Sequence, residues 1–108
     1  MKIVVYSTST DRSPFYDWQK KLDENTRAIV RTRLDRIRLG NFGDSKVIKG
    51  GDGICELRID FGPGYRIYFG KKGSTVVVLL VGGNKSSQDR DIEKAKRYWL
   101  ECKEVSNE

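Results

Sequence analysis

Apolar and polar residues alternate on both sides of Gly62-Pro63-Gly64, and this pattern predicts two antiparallel strands, each with one buried face. Cys55, Leu57, Ile59 and Phe61 form the inward set on the first strand, and Tyr65, Ile67 and Phe69 form it on the second. The two sets share a face only if the connecting loop has an odd number of residues, which a three-residue loop from Gly62 to Gly64 satisfies. A two-residue loop would slip the register by one and turn half of the apolar set to water. Glu56, Arg58, Asp60, Arg66 and Tyr68 then lie together on the opposite face, with Tyr68 across from Arg58 and Asp60 available to pair with Arg66. That face reads either as a solvated surface with ordinary cross-strand ion pairs or as a surface built for an anion.

The remaining periodicities place the other elements. Ile3-Val4-Val5 marks a short strand from Lys2 to Tyr6. A helix begins at Pro14, capped by Asp11 or Ser13, and buries Phe15, Trp18 and Leu22 at helical spacing. Asp23-Glu24-Asn25 recaps the chain for a second helix that runs to about Leu39, with Val30, Leu34 and Ile37 inward and Gly40 as its stop. The two helices are expected to form an antiparallel hairpin on a sheet. A strand around Lys46-Val47-Ile48-Lys49, a tight connection at Gly50 to Gly53, the hairpin, and a turn at Lys71 to Ser74 follow. The Val and Leu run from Thr75 to Val81 predicts a central strand buried on both faces and ended by Gly82-Gly83. A last helix, with Ser86 and Asp89 as its capping pair, places Ile92, Ala95, Trp99 and Cys102 on one face, and the tail from Val105 to Glu108 is expected to fray. The outline is α+β, in the order β-α-α-β-β-β-β-α, as one domain over residues 1–108.

Charge directs attention to polyanions. The 108 residues carry 21 Lys plus Arg against 15 Asp plus Glu, a formal +6 that favours nucleic acid as a partner. No histidine is present, so acid-base chemistry near neutral pH falls to Lys, Tyr, Asp, Glu or Arg in shifted environments, and histidine triads and His-rich zinc sites are excluded. Cys55 and Cys102 lack metal-ligand spacing and read as small core residues. The longest apolar run, Val76 to Val81, is far short of the roughly 20 residues that span a bilayer. With no disulfide framework and an N-terminus that runs directly into a strand, a cytoplasmic location is expected.

Two constellations carry candidate chemistry. Arg58, Arg66 and Tyr68 occupy the polar face of the hairpin. Gly82-Gly83-Asn84-Lys85-Ser86-Ser87 joins a central strand to a helix, where free amides, a helix N-terminus and a lysine favour a phosphate, although the glycine spacing is not that of a P-loop. A meander brings these together, so that Arg58, Arg66 and Lys85 surround one anionic group and stabilise the added charge of a pentacoordinate phosphorus. Arg27, Arg31 and Arg38 fall on one stripe of the second helix at about 100 degrees per residue. They read as a solvated flank aided by Asp35, or as a contact surface for RNA phosphates or a protein.

Ile37-Arg38-Leu39-Gly40-Asn41, Gly43-Asp44-Ser45-Lys46, Glu56-Leu57-Arg58-Ile59, the hairpin from Gly62 to Phe69, and Leu80 to Gln88 followed by Asp91-Ile92 and Ala95 resemble RelE/HigB-type toxins. Among these, the sequence is most similar to the group named addiction module killer proteins, from about Tyr6 to Leu100. The resemblance implies a RelE/ParE-like fold, a small antiparallel-dominated sheet with two N-terminal helices and a C-terminal helix. It implies the toxin of a type II toxin-antitoxin pair that cleaves mRNA in the ribosomal A site through the RNA 2'-hydroxyl, without metal or other cofactor. By position it assigns Arg66 to the phosphate and transition state, Arg58 to substrate or base support, and Lys85 to the leaving group, with Tyr68 alongside. Lys46, Lys49, Arg27, Arg31, Arg38, Ser86 and Gln88 are the expected RNA or ribosome contacts. The tyrosine that RelE carries near the start of its last helix is replaced near Asp91, and a basic residue before Arg58 is replaced by Glu56. Tyr68, Asp91, Lys85 and Glu56 therefore all stand as candidate general bases. A ParE-like inhibitor of DNA gyrase and a non-enzymatic RNA-binding module are the alternatives. The expected partners are ribosome, mRNA and a cognate antitoxin of helix-turn-helix type.

Overall fold

A computed structural model describes the backbone of residues 1–106 and the side chains of residues 1–102. The Ile3-Val4-Val5 run forms β1 (Lys2–Val5), and Ser13 caps α1 (Pro14–Gln19), its hydroxyl accepting from the Tyr16 amide. Asp23 caps α2 (Glu24–Arg38) by accepting from the Thr26 amide at 2.8 Å, and these bonds hold its carboxyl below the ordinary aspartate range. The helix stops where Gly40 takes a φ of 88°, a left-handed conformation that glycine adopts without strain. Four strands follow as a meander: β2 (Ser45–Val47), β3 (Ile54–Ile59), β4 (Tyr65–Lys72) and β5 (Val76–Asn84). One turn of 3-10 helix, Lys85–Ser87, leads into α3 (Gln88–Ser106), whose backbone takes in Val105 and Ser106 of the tail expected to fray, while residues 107–108 lie outside those described. The α+β class and the element order are as the sequence predicts. β2 is shorter than expected, leaving Ile48 and Lys49 in the turn.

The sheet has the order β1-β5-β4-β3-β2, antiparallel except where β1 lies parallel to β5. Its two faces are buried by different helices. Phe15 of α1 and Val30, Leu34 and Ile37 of α2 pack on Leu57, Ile59, Ile67, Phe69, Val77 and Leu79. Ala95 and Trp99 of α3 pack on Ile54, Tyr68, Val78, Leu80 and Val81. A bulge explains why adjacent Leu80 and Val81 both face α3: Tyr68 pairs with Val81 but Phe69 pairs with Leu79, so one residue of β5 is extra. β5 is buried on both faces, as its continuous apolar run requires. Trp99 lies against Gly70 and Trp18 against Gly82, so closely that a Cβ at either glycine would overlap the indole.

The hairpin differs from expectation in register. Ile59 pairs with Tyr65, which makes the connection five residues, Asp60 to Gly64, and moves every cross-strand partner by two. The parity survives, so the inward set is correct except for Phe61, which leaves the strand and is 42% exposed. Arg58 therefore faces Arg66, and Tyr68 faces Glu56 where Arg58 was expected. Asp60 lies outside β3, and the ion pair to Arg66 is made by Glu56 instead.

Candidate active site

Alternation along β3 puts Glu56 and Arg58 on the α3 face, and alternation along β4 does the same for Arg66 and Tyr68. The register arranges them in two rows across the sheet: Lys46, Glu56, Tyr68 and Val81 in one, and Arg58, Arg66 and Gly83 in the next. This face is not an open polar surface, because the first turn of α3 comes down on it. Glu56 and Tyr68 have no exposed area. Glycine at position 83 permits the approach, since a Cβ there would collide with the Asp91 carboxylate. Asp91 is itself buried and accepts from the Ser87 hydroxyl at 2.5 Å.

Glu56 organises the cluster. One carboxylate oxygen accepts from the Tyr68 hydroxyl at 3.1 Å and from the Gln88 amide at 2.7 Å. The other lies 3.6 Å from Arg58 Nε and 3.8 Å from Arg66 Nε, in charge contact with both and hydrogen-bonded to neither. Two guanidiniums directly opposite each other repel, and the carboxylate beneath them offsets that repulsion. Asp44 adds a second carboxylate 3.7 Å from Arg58 Nε, and its carbonyl accepts from the Arg58 amide at 2.8 Å. Burial, and then the charges of Glu56 and Asp91, push the Tyr68 hydroxyl well above the ordinary tyrosine value, with Arg66 opposing in part. At neutral pH the phenol therefore keeps its proton and donates a hydrogen bond to Glu56.

Lys85 is drawn to this cluster by the hairpin tip. Its amide donates to the Gly64 carbonyl at 3.0 Å, and a Cβ on Gly64 would lie 3.8 Å from both Arg66 Nη1 and Lys85 Cβ. The Arg66 side chain is 13% exposed and is steadied by donation from Nη1 to the Tyr65 carbonyl at 3.1 Å. Arg58 is more open, at 37%. Two guanidiniums thus lie above a buried carboxylate, with the backbone of exposed Lys85 tied beside Arg66 and exposed Lys46 in the neighbouring row on the edge strand. The arrangement suits a phosphate, which a guanidinium fork binds through two parallel hydrogen bonds.

The structure brings together Arg58, Arg66, Lys85, Lys46 and Gln88 among the residues predicted from sequence. Tyr68 belongs to the cluster but behind it, so it supports Glu56 and does not present its oxygen to a substrate. Ser86 is exposed on the 3-10 turn beside Lys85. The others lie elsewhere. Lys49 sits in the β2–β3 turn, at the opposite end of β3 from Arg58. Arg27, Arg31 and Arg38 belong to α2 on the other face of the sheet, and Asp35 pairs with Arg38 at 2.6 Å and not with Arg31. The expected phosphate nest at Gly82-Gly83 is also corrected. Both residues continue β5, paired with Ile67 and Arg66, and the amides of Ser86 and Ser87 are taken by the Asn84 side chain at 3.0 and 3.2 Å. Asn84 caps the 3-10 turn that leads into α3, where Ser86 with Asp89 was expected as the capping pair.

Sequence reasoning missed Arg33, whose Nη1 donates to the Arg58 carbonyl at 3.0 Å and pins the end of β3 from the α2 side. No periodicity signals such a contact. Asn84 was legible, because asparagine directly before a helix is a preferred cap. Among the described residues no group of His, Cys, Asp or Glu side chains gathers as a metal-ligand set. None of the described helices is long and apolar enough to cross a membrane.

Comparison with known proteins adds two matches. Residues 17–99 match the family described as "Phage derived protein Gp49-like (DUF891)". A protein of Haemophilus influenzae, described as uncharacterized, is 44% identical over 97 residues, spanning 89% of this chain and 92% of the relative.

Proposed function

From its membership of the phage-derived Gp49-like family, to which the chain belongs by a match over most of its length, we propose that this protein is the toxin of a toxin-antitoxin module, of the RelE/HigB kind, and that it cleaves mRNA on the ribosome. The observation that carries the reading is the apposition of Arg58 and Arg66 across β3 and β4, with Lys85 beside them. The likeness of the hairpin and of the Gly-Gly-Asn-Lys-Ser segment to those toxins supports it from the sequence side.

In the proposed reaction the RNA 2'-hydroxyl oxygen bonds to the adjacent phosphorus and the bond from phosphorus to the 5'-oxygen breaks, leaving a 2',3'-cyclic phosphate and a free 5'-hydroxyl. The 2'-hydroxyl proton passes to the exposed carboxylate of the cluster, Asp44, 3.7 Å from Arg58 Nε, because Glu56 lies buried beneath the guanidiniums. Arg66 and Arg58 hold the phosphate and stabilise the charge that builds on its oxygens, where pre-positioned donors contribute most. Lys85, exposed at the rim, delivers a proton to the departing 5'-oxygen. Residues 1–108 act as one toxin domain, and the cognate antitoxin covers the basic face.

Cell-free translation tests this reading. Added protein should yield discrete mRNA cuts that vanish with Arg66→Ala, and intact mRNA with unimpaired translation overturns it. A second reading rests on Asp91, which is buried where RelE carries its tyrosine. It makes the chain a ParE-like inhibitor of gyrase, and inhibition of supercoiling without mRNA cleavage would favour it. Binding to RNA with neither effect would favour a non-enzymatic module.

A further inference from the structure

The central strand loses a neighbour partway along. β1 pairs with Val76 to Leu79, and after the Tyr6 amide donates to the Leu79 carbonyl at 2.9 Å its chain leaves the sheet. β5 continues to Asn84 with β4 on one side and, among the described strands, none on the other. Successive backbone groups of a strand point alternately to its two edges, so Val81 to Gly83 offer donors and acceptors along a free edge of about 10 Å at ~3.3 Å per residue, which ends where the Asn84 carbonyl accepts from the Ser87 hydroxyl at 3.3 Å.

This edge is not at the outer margin of the fold. It floors a cleft of about 740 Å³, walled by α1 and the loop before it on one side and by the start of α3 on the other. Arg12 and Lys21 stand on the first wall, and Arg90 and Lys94 on the second, against the two carboxylates of Asp17 and Asp91. Asp17 lies 3.4 Å from Arg12 and 3.5 Å from Lys20, and Asp91 is engaged by Ser87. Lys21, Arg90 and Lys94 make no ion pair among the described residues. A free strand edge recognises an extended backbone, and three unpaired cations around it select acidic side chains.

We propose that this cleft is a docking slot for an extended acidic segment of a protein partner, which adds as a strand along Val81 to Gly83 in the line of β1. Nucleic acid would satisfy the cations but leave the backbone edge unmatched, so a peptide accounts for more of the site. The slot adjoins the arginine cluster, because Gly83 pairs with Arg66, but its existence does not depend on the nuclease reading. Occupancy would place an anionic chain one strand from Arg66 and beside Lys85.

The test titrates the isotope-labelled full chain with three probes and follows backbone amides by NMR. The first is a capped hexapeptide alternating Asp or Glu with Val or Ile. The second is the same peptide N-methylated at alternate residues, and the third is a single-stranded RNA hexamer. The acidic hexapeptide should shift and slow the exchange of the amides from Val81 to Gly83. Its affinity should fall at least tenfold on N-methylation and likewise in an Arg90→Glu/Lys94→Glu variant, whose spectrum otherwise reports an intact fold. Equal binding of the N-methylated peptide, tighter binding of the RNA hexamer at these amides, or peptide shifts confined to β2 would overturn the proposal. So would shifts of the same amides with protein concentration alone, which would make a second copy the occupant. The mRNA cleavage assay reads the nuclease proposal separately, so either can fail without the other.

Discussion

Arg58 and Arg66 face each other directly across β3 and β4, two like charges in one cross-strand pair, with the Glu56 carboxylate in contact with both. Such a pair is unfavourable in isolation, and the buried anion makes it tolerable. The fold thus holds two guanidiniums where a phosphate can span them.

Removing that anion should therefore unsettle the fold as well as the site. Glu56→Ala is expected to destabilise by about 3 kcal/mol, the scale for breaking a buried charge pair, and Glu56→Gln by less because it keeps partners for Tyr68 and Gln88. Urea unfolding at neutral pH checks this, and an unchanged midpoint in Glu56→Ala would show that the carboxylate is not what holds the arginines.

Arg66→Ala and Tyr68→Phe should separate contact from support. Loss of Arg66 is expected to reduce mRNA cleavage by about 100-fold or more, as for removal of a donor to a charged transition state, with the unfolding midpoint little changed. Tyr68→Phe should retain cleavage within several-fold and destabilise by about 1 kcal/mol through the lost bond to Glu56. A reversed pattern in cleavage kinetics would return Tyr68 to the reacting atoms.

The alkaline limb of stability follows from two phenols. Burial pushes Tyr68 upward, and burial followed by its hydrogen bond to Glu101 pushes Tyr6 upward, both well past the ordinary tyrosine value. Because the folded chain holds these protons more tightly than the unfolded one, their contribution is complete below about pH 10, the unfolded value, and is lost as pH rises beyond it. Unfolding midpoints across the alkaline range should fall, and the fall should be shallower in Tyr68→Phe.

Gly82 and Gly70 lie against Trp18 and Trp99 with no room for a methyl group. Each Gly→Ala substitution should lower stability by roughly 2 kcal/mol, the cost of overpacking a core contact. Thermal unfolding of the Gly82→Ala variant, alone and with Trp18→Leu, would show partial recovery in the double variant if the indole is the obstacle.

The sequence by itself determined the elements and the faces. Alternation through the hairpin, helical spacing of Val30, Leu34 and Ile37, and the unbroken Val76 to Val81 run are local consequences of burying one face or two, and they place Arg58 and Arg66 on one side whatever the loop length, provided it is odd. Tertiary structure decided the rest, because the deciding contacts join distant residues. Register depends on where the turn closes, so it took the folded hairpin to oppose Arg58 with Arg66 and bring Glu56 against Tyr68. Packing of α3 onto Gly83 turned a polar strand face into a buried carboxylate site. The opposite sides of the sheet separated Arg27, Arg31 and Arg38 from Lys85, although all are cations that composition alone cannot distinguish.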